Sequence, residues 1–281
     1  MIAARLPGDR LHLRHGPIDL ILGADGADGA REAAFVLAMT RFETLLSELV
    51  AELPLLRQPV GTVPKRATAR LMHAACWPHR AVFVTPMAAV AGAVAETVLA
   101  AMVQAAPLRR AYVNNGGDIA IHLAQGETFR IAMAGLERTD RGRITLCVDD
   151  AVRGIATSGQ GGRSHSMGIA DQVTVLATSA AMADVAATLI ANAVDLPGHP
   201  GITRSPANAL SPDSDLGARP VVRHVAALSP GEQDRALARG ARTAQSMADR
   251  GLIRAAALFL GDRSRLIGAP HLIAQKEPAH A

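Results

Sequence analysis

Aromatic residues make up only 2% of this 281-residue chain, which has one Trp, one Tyr and five Phe. So few rings leave little to stack on bases, which argues against a single-strand nucleic-acid platform. No block of five or six like charges is present either. The 29 Lys and Arg and 25 Asp and Glu give a net +4, spread along the chain. A charge that small and that dispersed leaves no polyanion footprint, so no nucleic-acid partner is expected. The two cysteines, Cys76 and Cys147, lack the paired spacing of a zinc site or redox motif, which suits a reduced compartment. His12 with His15, and His73 with His79, are not joined to a carboxylate at ligand spacing, so zinc is disfavoured. No 18-residue apolar stretch is free of charge, and the N-terminus MIAARLPGDRLHLRHGP has no apolar core. Neither a membrane span nor a signal peptide is expected, and a cytoplasmic location is.

What the chain does have is apolar residues, 49% of the total, ample for a real core. Leu11 to Arg14 and Ile18 to Leu22 flank a His15-Gly16-Pro17 turn and read as a hairpin. Phe35, Ala38, Phe42, Leu45, Leu46, Leu49 and Val50 follow the helical period, giving a helix over 31–52 that Pro54 should stop. A short helix is expected at 67–75, a short strand at Ala81 to Val84, and a well-patterned helix at 87–103. Glu96, the lone charge of that last helix, reads as outward-facing.

Strand candidates then run in series at 110–113, 119–123, 129–133, 144–148 and 173–177. A run of strands with helices before and after it, without strict alternation, favours α+β: a largely antiparallel sheet flanked by helices. Five prolines and three glycines make 196–220 a surface loop. A last helix, capped by Ser229 with Pro230 at its first position, reaches about Arg250, and a strand at 252–260 turns at Gly261 and Asp262. The expected organisation is a single domain over 1–270 and a loose tail over 271–281. Two weakly similar lobes stay open, and the alanine-rich apolar helices leave room for a homodimer.

The chemistry concentrates between Gly154 and Asn192. Asp184 and Thr188 are four apart on a helix that Ser179 can cap, so their side chains emerge from one face. Met182, Val185, Ala186, Leu189, Ile190 and Ala193 form the buried stripe, leaving Ala181, Asp184, Thr188 and Asn192 on a second one. A solvated surface helix carries Lys, Glu or Arg, yet none occurs between Thr178 and Ile190. The polar stripe is therefore expected half-buried, and a buried carboxylate needs a partner such as Mg²⁺. Upstream, Gly159, Gly161 and Gly162 allow a close backbone approach with N–H groups open to a phosphate.

Two further candidates stand beside these. Asn114, Asn115, Gly116, Gly117 and Asp118 make either a hairpin turn or a loop whose amides face a ligand, with Asn115 or Asp118 bonding a sugar or base. His165, between two serines, could be a structural residue or a base toward a hydroxyl. Asp171 is a buried-carboxylate candidate whose plain alternative is a turn cap.

Taken in order, VNNGGDIAI, GIATSG, SHS and SAAMADVAATLIA resemble the ApbE-like superfamily, above all its uncharacterised (UPF) branch, over about Ala81 to Val194. That resemblance implies an ApbE-like α+β fold. It also implies a metal on Asp184 and Thr188, a catalytic His165, and ligand contacts at Asn115, Gly116, Gly117, Asp118, Thr157, Ser158 and Gly159. The best-known members are Mg²⁺-dependent flavin transferases, which cleave FAD, join FMN through its phosphate to a Ser or Thr of an acceptor protein and release AMP. Three departures stand out. The family's helix-start lysine falls on Ala91 and its aspartate on Glu96. SMGIAD follows the first serine-histidine pair where IDPxTG is usual, and the N-terminal Met-Gly-Thr signature is missing.

The expectation is therefore a Mg²⁺-dependent enzyme acting on FAD, FMN or a related small phosphorylated ligand. One alternative is a flavin or nucleotide binding protein without catalysis. Another is a cofactor-biosynthesis enzyme for a pterin-like or flavin-like substrate.

Overall fold

A computed structural model describes residues 1–134, 140–162, 164–269 and 273–274. The order opens with β1 (Ile2–Leu6), β2 (Arg10–His15), β3 (Ile18–Gly26), α1 (Ala30–Leu56) and α2 (Ala67–Cys76). After α3 (Val90–Ala105) come β4 (Leu108–Asn115), β5 (Asp118–Leu123), β6 (Thr128–Ala134), β7 (Asp140–Cys147), β8 (Gly154–Ser158) and β9 (Gln172–Ala177). Next are α4 (Ala180–Ala193), β10 (Ile202–Pro206), the one-turn α5 (Ala207–Leu210) and β11 (Pro220–Val225). Then follow α6 (Pro230–Asp249), β12 (Ala255–Leu260), β13 (Arg263–Gly268) and β14 (Ile273–Ala274).

The chain divides into two compact units. The first comprises Met1–Thr128, Cys147–Ala156 and Ala177–Val185; the second comprises Phe129–Leu146, Thr157–Leu176 and Ala186–Ala281.

In the first unit β1 to β5 pair in chain order, each antiparallel to the next, and β5 pairs β8 through Ile119↔Ile155 and Ala120↔Gly154. The register Leu11↔Leu22 and Leu13↔Leu20 puts four buried leucines on one face, as period-two alternation requires. The α1 and α3 helices pack on each other, with α1 on β3 and α3 on β4 and β5. Their apolar stripes, Phe35, Phe42 and Leu45 on α1 and Val94, Val98 and Met102 on α3, are fully or almost fully buried. The stretch Pro86–Ala105 is long and apolar enough to cross a bilayer by length and composition, and half of it is buried inside the fold.

In the second unit β9, β12 and β13 form an antiparallel run with α6 lying on β12 and β13. Every residue of β9 and β12 is buried. The β12 strand, AAALFL, therefore reads as a continuous apolar run, whereas β9, QVTVLA, also buries the polar Gln172 and Thr174. The strands β14, β7 and β6 pair in that order, and β10 pairs β11. The architecture is α+β, with a large, antiparallel sheet component and flanking helices, as the strand series led one to expect.

Four local expectations are corrected. Helix α1 runs through Pro54 to Leu56. So close to the helix end Pro54 forfeits one ladder bond, while Arg57 N–H still reaches Leu53 O at 3.0 Å and the Leu56 side chain is fully buried. No strand forms at Ala81 to Val84: Val60 N–H donates to Val84 O, Val82 is exposed, and a 3₁₀ turn starts at Pro86. The 196–220 loop contains β10 and the one-turn α5 and ends at the start of β11; Pro206, the last residue of β10, pairs Pro220, the first of β11, at the connected end of the ladder. Pro is tolerated there because no central partner needs its missing N–H. Finally, β8 occupies Gly154–Ser158, a strand absent from the series expected from sequence. The expected loose tail over 271–281 lies outside the described residues apart from Ile273–Ala274.

Candidate functional site

The α4 helix starts as the sequence suggests, with Ser179 Oγ accepting the Met182 N–H at 3.3 Å. It is buried more widely than a single stripe: Ala180, Ala181, Ala183, Ala187 and Ala191 are all covered, together with Val185, Ala186 and Ile190. Asp184 and Thr188 are left half-buried, as expected.

The Asp184 carboxylate meets the N-terminus of α3. Its Oδ2 accepts the Gly92 N–H at 2.9 Å, and the Ala91 N–H bonds to the same carboxylate. Both donors lie in the first helical turn, where N–H groups have no intrahelical acceptor and the helix dipole favours negative charge. The relation is reciprocal, because Glu96 Oε2 on α3 accepts the Ala181 N–H in the first turn of α4 at 3.4 Å. Glu96 is thus a half-buried cap for the neighbouring helix, correcting its reading as outward-facing.

Glycine makes this approach possible. A Cβ on Gly92 would fall 2.2 Å from Ala180 O, and one on Gly154 would fall 2.2 Å from Ser179 O. An interior helical glycine costs about 1 kcal/mol relative to alanine. In so alanine-rich a helix, that anomaly was the sequence signal for a close backbone neighbour.

The Asn115-to-Asp118 segment joins the same place. Gly116 and Gly117 form the two-residue connection of β4 and β5 with φ of 68° and 114°, and Asn115 faces Asp118 across it. Asn114 Oδ1 accepts the Gly117 N–H at 2.8 Å. The buried Asn115 donates from Nδ2 to Ala91 O at 3.1 Å, tying the turn to the start of α3. This segment is a hairpin turn, and it also sets Asp118 close to Asp184.

Burial, then the Asp118 charge, raise the Asp184 pKa well above the ordinary 3.8, against the opposing bonds from Gly92 and Ala91. Cys76, buried beside them, has its thiol pushed up by burial and then by the Asp184 charge. Neither Cys76 nor the α3 amides were singled out from sequence. The donor set suits a hard cation: two neighbouring carboxylates repel, and a carboxylate has about four acceptor positions, of which the α3 amides take two. Among the described residues no group of three or more His, Cys, Asp or Glu is placed to hold a metal. A cation here would rest on two carboxylates and on neutral oxygens.

The other sequence candidates belong to the second unit. Thr157 Oγ1 lies 3.1 Å from Thr174 Oγ1, with Ser158 next to it and half-buried. Gly159 has φ 140°, and a Cβ there would sit 2.5 Å from Asp171 O. The glycine run was expected to offer open N–H groups. Instead Gln160 donates to Ala170 O at 2.8 Å, Gly161 to Asp171 O at 3.4 Å and Gly162 to Gly159 O at 3.1 Å. The glycines here serve a close approach of backbone to backbone.

His165 is exposed on this segment. Asn192 Oδ1 on α4 accepts the Met167 N–H at 3.0 Å, so the last member of the polar stripe anchors the segment. Asp171 Oδ2 accepts the Gly261 N–H at 2.7 Å, and burial raises its pKa. Its role is the turn cap between β12 and β13.

A family model described as AbpE bacteria matches residues 3–266. A UPF0280 protein of Methanopyrus kandleri is 36% identical over 182 residues, covering 62% of this chain and 69% of that protein. The UPF0280 protein of Methanothrix thermoacetophila is 36% identical over 160 residues, 54% of this chain and 64% of the relative. That of Methanococcoides burtonii is 39% identical over 118 residues, 42% of this chain and 48% of the relative. The chain thus spans less than two thirds of the length of the latter two. Among solved structures, the apo form of Pseudomonas stutzeri flavinyl transferase ApbE aligns over 96% of this chain and 95% of its own, at 13% identity and a TM-score of 0.48. The flavin transferase ApbE from Vibrio cholerae aligns over 95% of this chain and 97% of its own, at 12% identity and a TM-score of 0.40.

Proposed function

The chain belongs to the AbpE bacteria family, and from that premise we propose that it is a divalent-cation-dependent enzyme acting on FAD or a related phosphorylated ligand. The chemistry would be cleavage of the pyrophosphate, with or without transfer of FMN to an acceptor hydroxyl. One observation carries the reading: the Asp184 carboxylate, held on the first turn of α3 and next to Asp118, has its pKa raised by burial and like charge. Such a pair is strained without a counter-charge and relaxed by a hard cation.

Asp184, with Thr188 one turn later, would hold Mg²⁺, which when bound neutralises phosphate charge. The α3 amides orient the Asp184 carboxylate, and Asn115 fixes the start of that helix through Ala91 O. Gly116, Gly117, Asp118, Thr157, Ser158 and Gly159 are assigned to ligand binding on the resemblance alone. His165, exposed, is assigned as the base that takes the proton of the attacking hydroxyl. Alanine at position 91 leaves no lysine for the substrate at the start of α3.

The test is to incubate the protein with FAD, Mg²⁺ and Ser- or Thr-containing acceptors and to follow AMP. Release that needs Mg²⁺ and falls at least 100-fold in Asp184→Ala supports the proposal. No release with any acceptor, or release indifferent to Asp184→Ala, overturns it.

A second reading, a flavin or nucleotide binding protein without catalysis, is favoured by the two α3 N–H bonds that already satisfy part of the Asp184 carboxylate. Quenching of FAD fluorescence that ignores chelator and yields no product would select it.

A further inference from the structure

The α6 helix carries Arg235, Arg239 and Arg242, spaced at four and three residues and therefore on one face. The three exposed side chains line an open groove of about 520 Å³ in the second unit. Its other wall is the segment Asp195 to His199 that follows α4. We propose that this groove binds a small organic phosphate, with its anionic group on Arg239 and Arg242.

The charge of the groove is unbalanced toward the cationic. Asp195 is occupied by Arg204 from β10. Glu232 is shared between the Ser229 cap, His199 at 3.1 Å and Arg235 at 3.9 Å. Asp234, the remaining acid in this part of α6, pairs with Arg265 on β13 at 3.1 Å. With those carboxylates committed, Arg239 and Arg242 are left to repel each other one turn apart until an anion joins them. Guanidinium groups present forked N–H donors that match phosphate oxygens in pairs, so the recognised chemistry is a phosphate rather than a lone halide. Leu196, Pro197 and Ala238 add an apolar floor against which the organic part of such a ligand packs. None of these residues belongs to the site proposed around Asp184, and the inference stands whether or not that site is catalytic.

The experiment is a titration of the full-length protein with pyrophosphate and, separately, with ribose 5-phosphate, without divalent cation, read by ³¹P line broadening and by thermal shift. Saturable binding is expected, weakened at least tenfold in R239Q/R242Q. It should be kept within twofold in D184N and in R14Q/R70Q, which makes the same charge change at two exposed arginines elsewhere. A fall in affinity with rising salt is part of the expected result. Binding lost in D184N but kept in R239Q/R242Q would place the phosphate at the other site and overturn the proposal. Equal loss in R239Q/R242Q and R14Q/R70Q would reduce it to net charge, and an absence of saturable binding would also overturn it.

Discussion

Asp184 and Gly92 meet across two helix starts: the carboxylate of the fifth residue of α4 accepts the N–H of the third residue of α3 at 2.9 Å. Glu96 returns the arrangement by accepting from Ala181. A bare backbone at position 92 is needed, because a Cβ would lie 2.2 Å from Ala180 O. Gly92→Ala should therefore destabilise the protein by roughly 1–3 kcal/mol, the usual cost of overpacking a tight contact, despite alanine's better helix propensity. Urea unfolding decides this; an unchanged or raised midpoint would show that the helices are free to separate.

The burial of Asp184 sets a sign for the pH dependence. Its folded pKa lies well above the ordinary 3.8. Between those two values the folded state holds more protons than the unfolded one, so this group's contribution is complete below 3.8 and is lost as pH rises through the folded pKa. Asp184→Asn, which keeps an oxygen for the Gly92 N–H, should flatten that decline. Denaturation midpoints across pH 4 to 9 in chelator would show it, and parallel curves for the two proteins would refute it.

Glu232 gives the opposite slope. Hydrogen bonds from the Ser229 side chain and backbone, with His199, lower its pKa from 4.5 to about 2. A depressed carboxyl contributes stability above its unfolded pKa that is lost as pH falls toward the folded one. Glu232→Gln should remove this acid-side loss between pH 4.5 and about 2 while lowering stability near neutrality. Thermal melts through that window test it, and a variant that keeps the wild-type acid slope would exclude the capping network as its source.

Pro54 lies within the last turn of α1, which passes straight through it. Replacing it with alanine restores a bond to Val50 O and should raise stability by about 1 kcal/mol. That is less than the ~3 kcal/mol expected mid-helix, because only the terminal turn is involved. An unfolding midpoint that drops would mean that the proline ring itself packs.

The elements with strong periodicity were legible in the sequence: α1, α3, α6 with its Ser229 cap, and the β2–β3 hairpin all follow from spacing and turn chemistry. The family was legible too, from the order of a few motifs. What spacing could not convey was the partner of each polar group. Asp184 reads as an unpartnered carboxylate until α3 is folded against it, because its donor Gly92 lies 92 residues away. The glycines of 159–162 read as an open phosphate cradle, yet Ala170 and Asp171 take their neighbouring amides once the segment folds back. Short strands such as β10 and β11 escaped because their prolines mark a loop unless the pairing that places them at a ladder end is known.

The reading of the acidic pair is tested most directly by calorimetric titration of Mg²⁺ into the protein in the presence of FAD, with wild type and Asp184→Asn compared at pH 8. Saturable 1:1 binding is expected for the wild type, weakened at least tenfold in Asp184→Asn. Equal affinities in the two proteins, or no Mg²⁺ binding to the wild type with FAD present, would contradict a cation at Asp184 and leave that carboxylate as a helix cap alone.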